Sequence, residues 1–198
     1  MKLFYSPTSP YVRKVAAAAI TLGLDQRIER IPTNAHESPA ALVAANPLSK
    51  VPTLVTDDGT ALFDSPVICE YLDEISDDIT LFPPHGAARW RALRLQALGD
   101  GILDAAVLAR MESQRPSEAA RDAVIARQKG IIAHALDALE AEPPPVHLDI
   151  GAIAVACALG YLDLRFAEDA WRQNRPALAG WFEEISRHKG LAETAPAG

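Results

Sequence analysis

Apolar positions in the first third of the chain change repeatedly between short extended runs and helical spacing. Residues 2–5 and 27–31 have the short runs of strands, and residues 53–55 and 61–63 flank an Asp-Gly turn that is typical of a hairpin. Between the first two runs, apolar residues recur at the i, i+3, i+4, i+7 spacing of a helix that buries one face: Val12, Val15, Ala16, Ala19 and Ile20. With a short helix near residues 39–45 and a longer one after residue 65, the pattern predicts a β-α-β-α-β-β-α order and a four-stranded mixed sheet.

The second part of the chain has helical spacing throughout. Pro83 and Pro84 interrupt the pattern before it, so we predict an α/β domain over residues 1–78, a linker over 79–86 and an all-helical domain over 87–198. Proline breaks divide this domain into four predicted helices, over residues 86–115, 117–141, 150–164 and 176–185. The third of these has almost no polar residue, which predicts a central helix buried on most sides.

Composition excludes several classes of function. The 198 residues carry 19 Lys and Arg against 26 Asp and Glu, a net charge of −7, whereas nonspecific nucleic-acid binding needs a basic face. No apolar run approaches the roughly 18–20 residues that cross a bilayer, and the start lacks the features of a signal peptide. We therefore expect a cytoplasmic protein that binds neither nucleic acid nor membrane.

Cysteine and histidine usage indicates neither disulfides nor metal. Cys69 and Cys157 are the two cysteines of the chain, too few for a disulfide framework, and we interpret both as buried packing residues. The five histidines show no metal-ligand spacing with one another or with cysteine. We expect no bound metal.

A Ser-Pro dipeptide stands before three of the predicted helices. Serine suits the N-cap and proline the first helical position, so Ser9, Ser38 and Ser65 are predicted N-caps, each contributing about 1 kcal/mol. Ser9 and Ser65 also follow predicted strands, so the free N–H groups of their helices would face the sheet edge where α/β proteins bind ligands. Two such ends predict a ligand with separate negative groups, such as a carboxylate and a thiolate.

Three short segments carry a resemblance to a known family. Ser9-Pro10-Tyr11-Val12 occupies the place where glutaredoxin-like folds carry Cys-Pro-Tyr-Cys, with both cysteines replaced, so dithiol chemistry is not expected. Two further segments follow in order, Asn46-Pro47-Leu48-Ser49-Lys50-Val51-Pro52-Thr53-Leu54 and Phe63-Asp64-Ser65-Pro66-Val67-Ile68-Cys69-Glu70-Tyr71-Leu72. With the all-helical second half, they resemble cytosolic glutathione S-transferases. The resemblance implies a thioredoxin-like N-terminal domain, an α-helical C-terminal domain, and glutathione as co-substrate.

The resemblance also implies particular contacts with glutathione. It places the backbone of Val51 against the cysteinyl part of the tripeptide, before a cis proline at Pro52. It assigns the γ-glutamyl carboxylate to Asp64 and Ser65, which agrees with the anion site predicted from the helix start. Lys50 would then supply a cation for a glutathione carboxylate, although a solvated surface lysine is the alternative.

Chemistry on glutathione requires a lowered thiol pKa. A thiol with a pKa near 8.5 is only a few per cent ionised at pH 7, and a shift of about two units needs roughly 2.7 kcal/mol. A hydroxyl donor at a helix N-terminus can supply this energy. Ser9 is the first candidate because it caps its helix, Thr8 is the close alternative, and Tyr5, inside the strand, is a weaker one. Serine cannot form a mixed disulfide, so conjugation, addition-elimination and peroxide reduction stay open.

Two acidic residues and two glycines are close together in the first long helix. Asp100 and Asp104 are one turn apart, and Gly99 and Gly101 each cost about 1 kcal/mol relative to alanine, which indicates a close backbone approach. The resemblance implies that this helix lies at a twofold dimer interface beside the cleft. Asp100 would then reach the γ-glutamyl ammonium, within one chain or across the dimer. The alternative is a helix-surface carboxylate paired with Arg94 or another basic residue.

The sequence therefore predicts a homodimeric glutathione S-transferase that activates the thiol of reduced glutathione for attack on a small electrophile. Two alternatives stay open: a binding or interaction module with little turnover, and a glutathione-dependent isomerase or peroxidase. Arg110 and Arg115 could line the electrophile site or be solvated, and His36 is a weak candidate for the glycine carboxylate of glutathione. In the buried helix, Asp149 is expected to cap alone, because Ala152 stands where the family usually has an Asp.

Overall fold

A computed structural model describes residues 1–196 of the chain and contains a four-stranded sheet and eight α-helices in this part. The strands are β1 (Lys2–Tyr5), β2 (Glu29–Pro32), β3 (Thr53–Val55) and β4 (Ala61–Leu62). The helices are α1 (Pro10–Thr21), α2 (Ala40–Ala45), α3 (Ser65–Glu74), α4 (Gly86–Ser113), α5 (Ala119–Ala141), α6 (Ile150–Arg165), α7 (Pro176–Ile185) and α8 (Lys189–Glu193). In the strand order β2-β1-β3-β4, β1 pairs parallel with β2 and antiparallel with β3. The predicted mixed sheet, and with it the fold class, is confirmed.

Helix α1 links the sheet to the helical part of the molecule. Its N-cap is Ser9, as predicted, and the Ser9 Oγ accepts a hydrogen bond from the Val12 N–H at 3.3 Å. Arg13, on the same helix, donates to the Ala156 carbonyl of α6 at 3.3 Å and to the Leu191 carbonyl of α8 at 3.4 Å. Arg13 therefore connects the first turn of α1 to two helices of the helical part.

Helix α6 is the central element of the helical part, as its composition predicts. Every residue from Ile150 to Leu162 is buried. Asp149 caps the helix by accepting a hydrogen bond from the Ala152 N–H at 2.8 Å, and its second carboxylate oxygen lies 3.3 Å from His147 Nε2. Asp149 alone therefore caps α6, as expected from the lack of a second capping side chain at Ala152.

Two of the three N-cap predictions are wrong, because neither Ser38 nor Ser65 occupies the N-cap position of a helix. Ser38 has a φ of 47° and closes a 3₁₀ turn over Ala35–Glu37, so α2 begins only at Ala40. The Ser38 hydroxyl instead hydrogen-bonds the Ser49 hydroxyl at 2.9 Å. Ser65 is the first residue of α3, and Asp64 holds the N-cap position without a side-chain hydrogen bond to the helix.

Other differences concern the ends of elements. Strand β2 starts two residues later than predicted, because residues 25–27 form a 3₁₀ turn. Helix α5 starts at Ala119, because the Ser117 hydroxyl hydrogen-bonds Asp122 at 3.2 Å and does not cap the helix. The short helix α8 was not predicted.

The two halves share one apolar core. Buried side chains from the sheet and α1, such as Leu3 and Val15, belong to the same cluster as Ile102 of α4 and Ile153 of α6. The stretch between α3 and α4 contains neither helix nor strand and overlaps the predicted linker over 79–86. The division into domains over 1–78 and 87–198 stays a prediction. None of the helices in the described part is long and apolar enough to cross a membrane.

Candidate functional site

One cleft, with a volume of about 810 Å³, lies between the sheet edge and the helical wall. The first residues of α1 and α3 and the loop before β3 form one side, and α4 with α6 forms the other. Most residues predicted to act on or bind glutathione line this cleft: Thr8, Ser9, Lys50, Val51, Pro52, Asp64 and Ser65. Asp100 does not line it. His36 and Arg110 also line it, whereas Arg115 and Tyr5 do not. The structure thus brings together residues that are up to 57 positions apart in the sheet half of the chain.

Ser9 and Thr8 present two hydroxyls in the loop between β1 and α1. The Ser9 Oγ accepts the Val12 N–H, so its own hydroxyl proton remains available for a ligand. Thr8 Oγ1 lies 3.4 Å from Ser6 Oγ, and its side chain is more exposed than that of Ser9. Because Ser9 stands at the helix N-terminus, an anion beside it would also meet the positive end of the helix dipole. Ser6 lines the cleft as well and was not predicted.

The loop before β3 is held by the buried side chain of Asn46. Its Nδ2 donates to the Lys50 carbonyl at 3.2 Å and to the Thr53 hydroxyl at 3.0 Å, and its Oδ1 accepts the Leu48 N–H at 3.0 Å. These bonds fix the backbone of Val51 and the peptide bond to Pro52, which is cis as the resemblance implies. Asn46, the residue that begins the quoted motif, therefore positions the loop.

The N-terminus of α3 faces the cleft with uncapped N–H groups. Asp64 makes no side-chain hydrogen bond to the helix, and its carboxylate is exposed, whereas Ser65 is buried. Pro66 has no N–H, so Ser65 and Val67 carry the free donors of the first turn. This end of the helix is suited to a carboxylate ligand.

Asp100 is placed away from the cleft and pairs with Lys14 of α1. The Lys14 Nζ lies 2.6 and 2.7 Å from the two carboxylate oxygens of Asp100, and the lysine side chain is completely buried. Burial raises the pKa of Asp100, while the charge of Lys14 acts in the opposite direction. Asp100 thus has a basic partner, but the partner is Lys14 and not Arg94, and the Asp100 side chain is only 18% exposed and not on the helix surface. The contact with a γ-glutamyl ammonium stays a prediction.

Asp104, one turn further along α4, lines the cleft in place of Asp100. It accepts a hydrogen bond from the Tyr11 hydroxyl. Burial and this hydrogen bond raise the pKa of Tyr11, so its phenol stays protonated at neutral pH. The spacing predicts that both aspartates lie on one face of the helix, but no local signal distinguishes the one that contacts Lys14 from the one that contacts Tyr11.

The helical wall of the cleft contains two arginines and a buried tyrosine. Arg110 comes from α4, and Tyr161 and Arg165 come from α6, where they are four residues apart and thus on one face. Tyr161 and Arg165 were not predicted, although a tyrosine and an arginine one turn apart at the end of an otherwise apolar helix are a usable signal. Arg115 pairs with Glu112 at 3.1 Å outside the cleft, as expected of a solvated residue.

Both cysteines are buried packing residues, as predicted. Neither lines the cleft, and burial raises the pKa of the Cys69 thiol to about 12 and also raises that of Cys157. Protein thiolates are therefore absent from the cleft chemistry. Within residues 1–196, no group of three or more His, Cys, Asp or Glu side chains is placed to hold a metal ion.

Comparison with known proteins identifies the family. Residues 8–75 match the glutathione S-transferase N-terminal domain, and residues 122–184 match the glutathione S-transferase C-terminal domain. A GST-like protein of Escherichia coli K12, YibF, which is described as uncharacterized, is 35% identical over 202 residues, covering 99% of this chain and 98% of its own. The chain belongs to the glutathione S-transferase family.

Solved structures of relatives have the same fold over the whole chain. A glutathione transferase family member from Pseudomonas fluorescens Pf-5, with bound glutathione, is 42% identical, with a TM-score of 0.91 over 100% of this chain and 99% of its own. A glutathione S-transferase from Methylobacillus flagellatus KT, with glutathione bound, is 34% identical, with a TM-score of 0.89 over 99% of both chains. The thioredoxin-like sheet followed by a helical part is therefore common to all three.

Proposed function

We propose that this protein is a glutathione transferase, which binds reduced glutathione in the cleft and activates its thiol through Ser9. One observation carries the proposal: the Ser9 Oγ accepts the Val12 N–H, which leaves the hydroxyl proton free to donate at a helix N-terminus. The two relatives from Pseudomonas fluorescens and Methylobacillus flagellatus, crystallised with glutathione, support the choice of ligand.

Glutathione would lie along the sheet side of the cleft. Its cysteinyl backbone would pair with the backbone of Val51, which the Asn46 hydrogen bonds hold in place. Its γ-glutamyl carboxylate would accept the free N–H groups of α3 at Ser65, and Lys50, which lines the cleft, would face a second carboxylate. Both negatively charged ends then meet positive charge or N–H donors.

The reaction begins with ionisation of the thiol. Its proton goes to solvent, and the thiolate accepts the Ser9 hydroxyl beside the N-terminus of α1. A charge-assisted hydrogen bond contributes about 1.5–3 kcal/mol, which is the size of the roughly 2.7 kcal/mol needed for a shift of two pKa units. The thiolate then attacks the electrophilic carbon, a C–S bond forms, and the leaving group departs with its electron pair.

We also propose a homodimer. Val67 of α3 and Trp90 of α4 are 46% and 69% exposed, and a second copy of the chain could cover such apolar side chains. Arg89, next to Trp90 in sequence, donates to Glu70, one turn after Val67, at 2.6 Å and joins the two helices. The cytoplasmic location expected from the sequence stays a prediction.

The kinetics of two variants, Ser9→Ala and Thr8→Ala, test which hydroxyl activates the thiol. We expect Ser9→Ala to lower kcat/KM for glutathione conjugation to 1-chloro-2,4-dinitrobenzene about 100-fold, because the roughly 2.7 kcal/mol of thiolate stabilisation is lost. Thr8→Ala is the matched control and is expected to change it less than threefold. Thermal melts check that the loss of the Ser9 cap, about 1 kcal/mol, leaves the protein folded at the assay temperature.

The outcomes separate the proposal from its alternatives. A large effect of Thr8→Ala with none for Ser9→Ala would transfer the catalytic role to Thr8. Glutathione binding by calorimetry with no turnover of chloroarenes, peroxides or cis-trans isomerisable substrates would favour a binding module. Turnover confined to peroxides or to isomerisation would indicate the peroxidase or isomerase alternative, and absence of glutathione binding would contradict all three.

A further inference from the structure

We infer that the second substrate carries an anionic group, a carboxylate or a similar small anion, and that Arg110 and Arg165 bind it at the helical wall of the cleft. The inference rests on the proposed function, because the electrophile must share the cleft with glutathione. It names the chemical class of the substrate, which neither the family nor the sheet side of the cleft determines.

The two arginines differ from most other arginines of the helical part. Arg115, Arg172 and Arg175 each lie within 3.1 Å of a carboxylate oxygen. Arg110 and Arg165 make no ion pair within residues 1–196, although both are partly buried and both line the cleft. In a chain with a net charge of −7, carboxylates are abundant. Two unpaired guanidiniums in a concave wall are therefore suited to an anion that arrives with the substrate.

The phenol of Tyr161 lies in the same wall of the cleft as the two arginines. Tyr161 is only 7% exposed, and burial raises its pKa, while the positive charges of Arg165 and Arg110 both act in the opposite direction. Arg110 of α4 and Tyr161 and Arg165 of α6 all line this wall of the cleft, where the Tyr161 hydroxyl can add a third hydrogen-bond donor for an anion.

The remaining groups of the wall determine how such a substrate is oriented. Leu108 and Met111 are 41% and 49% exposed and line the cleft, so they offer an apolar surface for the body of the molecule. Asp104 is the acidic residue of this wall, and it lies six residues before Arg110, about 9 Å along the helix. A negative group is repelled from the Asp104 end, where Tyr11 is hydrogen-bonded, and attracted to the arginine end.

A matched pair of conjugates tests the inference without requiring turnover. One conjugate is formed from glutathione and 4-chloro-3-nitrobenzoate, the other from glutathione and 4-chloro-3-nitrobenzamide. They differ at one position of the ring, where the first has a carboxylate and the second a neutral amide. They form when the thiolate attacks the ring carbon and chloride leaves, and both can be prepared without enzyme. We expect calorimetry to show that the carboxylate conjugate binds the protein about tenfold more tightly than the amide conjugate.

Variants assign this preference to the two arginines. Arg110→Gln and Arg165→Gln are each expected to weaken binding of the carboxylate conjugate about tenfold and to change binding of glutathione and of the amide conjugate less than twofold. Arg115→Gln, which removes an exposed arginine outside the cleft, is the matched control and should change none of the three affinities.

The results distinguish failure of the inference from failure of the proposed function. Equal affinity for both conjugates, or carboxylate binding unaffected by both cleft variants, would overturn the inference while glutathione binding remained. If glutathione and both conjugates failed to bind the wild-type protein, the proposed function itself would be wrong.

Discussion

Replacing Asp100 with leucine is expected to lower the free energy of unfolding by about 3–5 kcal/mol, a large part of the 5–15 kcal/mol that typically stabilises a domain. The Lys14 Nζ lies 2.6 and 2.7 Å from the Asp100 oxygens, and the Lys14 side chain has no exposed surface. Without Asp100, the ammonium is left without its acceptor in a closed apolar environment. Chemical denaturation followed by circular dichroism measures the loss.

The matched variants are Lys14→Met and the double substitution. Lys14→Met is expected to cost less than Asp100→Leu, because Asp100 keeps 18% of its side chain exposed and can take up a proton. The double variant removes both charges and should be more stable than Asp100→Leu alone. If the two single costs simply add in the double variant, the two side chains are not coupled, and this account of the buried pair is wrong. The glutathione affinity of the double variant also tests the role that the family resemblance gives to Asp100.

Gly99→Ala is expected to lower the free energy of unfolding by about 3 kcal/mol. A Cβ at this position would lie 2.6 Å from the carbonyl carbon and 2.8 Å from the carbonyl oxygen of Ala154 in α6. These are backbone atoms of the central helix, so no side chain can rotate away to relieve the contact. Helices α4 and α6 would have to separate along the wall that carries Asp104 and Arg110. Thermal and urea denaturation measure the effect.

Gly101→Ala is the control on the same helix. A Cβ there meets no atom within 4 Å, so alanine should raise the free energy of unfolding by about 0.5–1 kcal/mol through its helix propensity. Equal destabilisation by both substitutions would show that helix approach is not the reason for glycine at position 99.

Elements with strong local signals were predicted well. Hydrophobic spacing gave α1 and the buried helix α6, and the Asp-Gly turn gave the β3–β4 hairpin. Ser9 as the cap of α1 and Asp149 as the cap of α6 depend on bonds within three residues, which is why sequence alone could predict them. The cis bond before Pro52 came from the family resemblance and not from any local preference.

The predictions that were wrong or incomplete depend on contacts between distant parts of the chain. Ser38 has the composition of an N-cap, but its hydroxyl bonds Ser49 and its backbone closes a preceding turn. Lys14 occupies a position that the apolar spacing of α1 treats as polar, and it is buried only because Asp100, 86 residues away, pairs with it. Whether Asp100 or Asp104 lines the cleft depends on how α4 is placed against α1, and no sequence motif encodes that placement.

The same reason explains why the residues on the sheet side of the cleft could be predicted and most of those on the helical side could not. Lys50, Val51, Pro52, Asp64 and Ser65 stand in two short motifs, so their convergence in one cleft could be expected from sequence. The opposite wall combines Arg110 with Tyr161 and Arg165, from helices about 50 residues apart in sequence. That combination exists only when α4 packs on α6, for which Gly99 is needed.

Titration of the thiol of bound glutathione tests the central claim most directly. The ultraviolet absorbance of the thiolate, recorded against pH for the wild-type complex, should give a pKa about two units below the value of about 8.5 for an unperturbed thiol. Ser9→Ala should return the pKa most of the way to that value while glutathione still binds. A bound thiol in the wild-type protein with the same pKa as the free tripeptide would contradict the account.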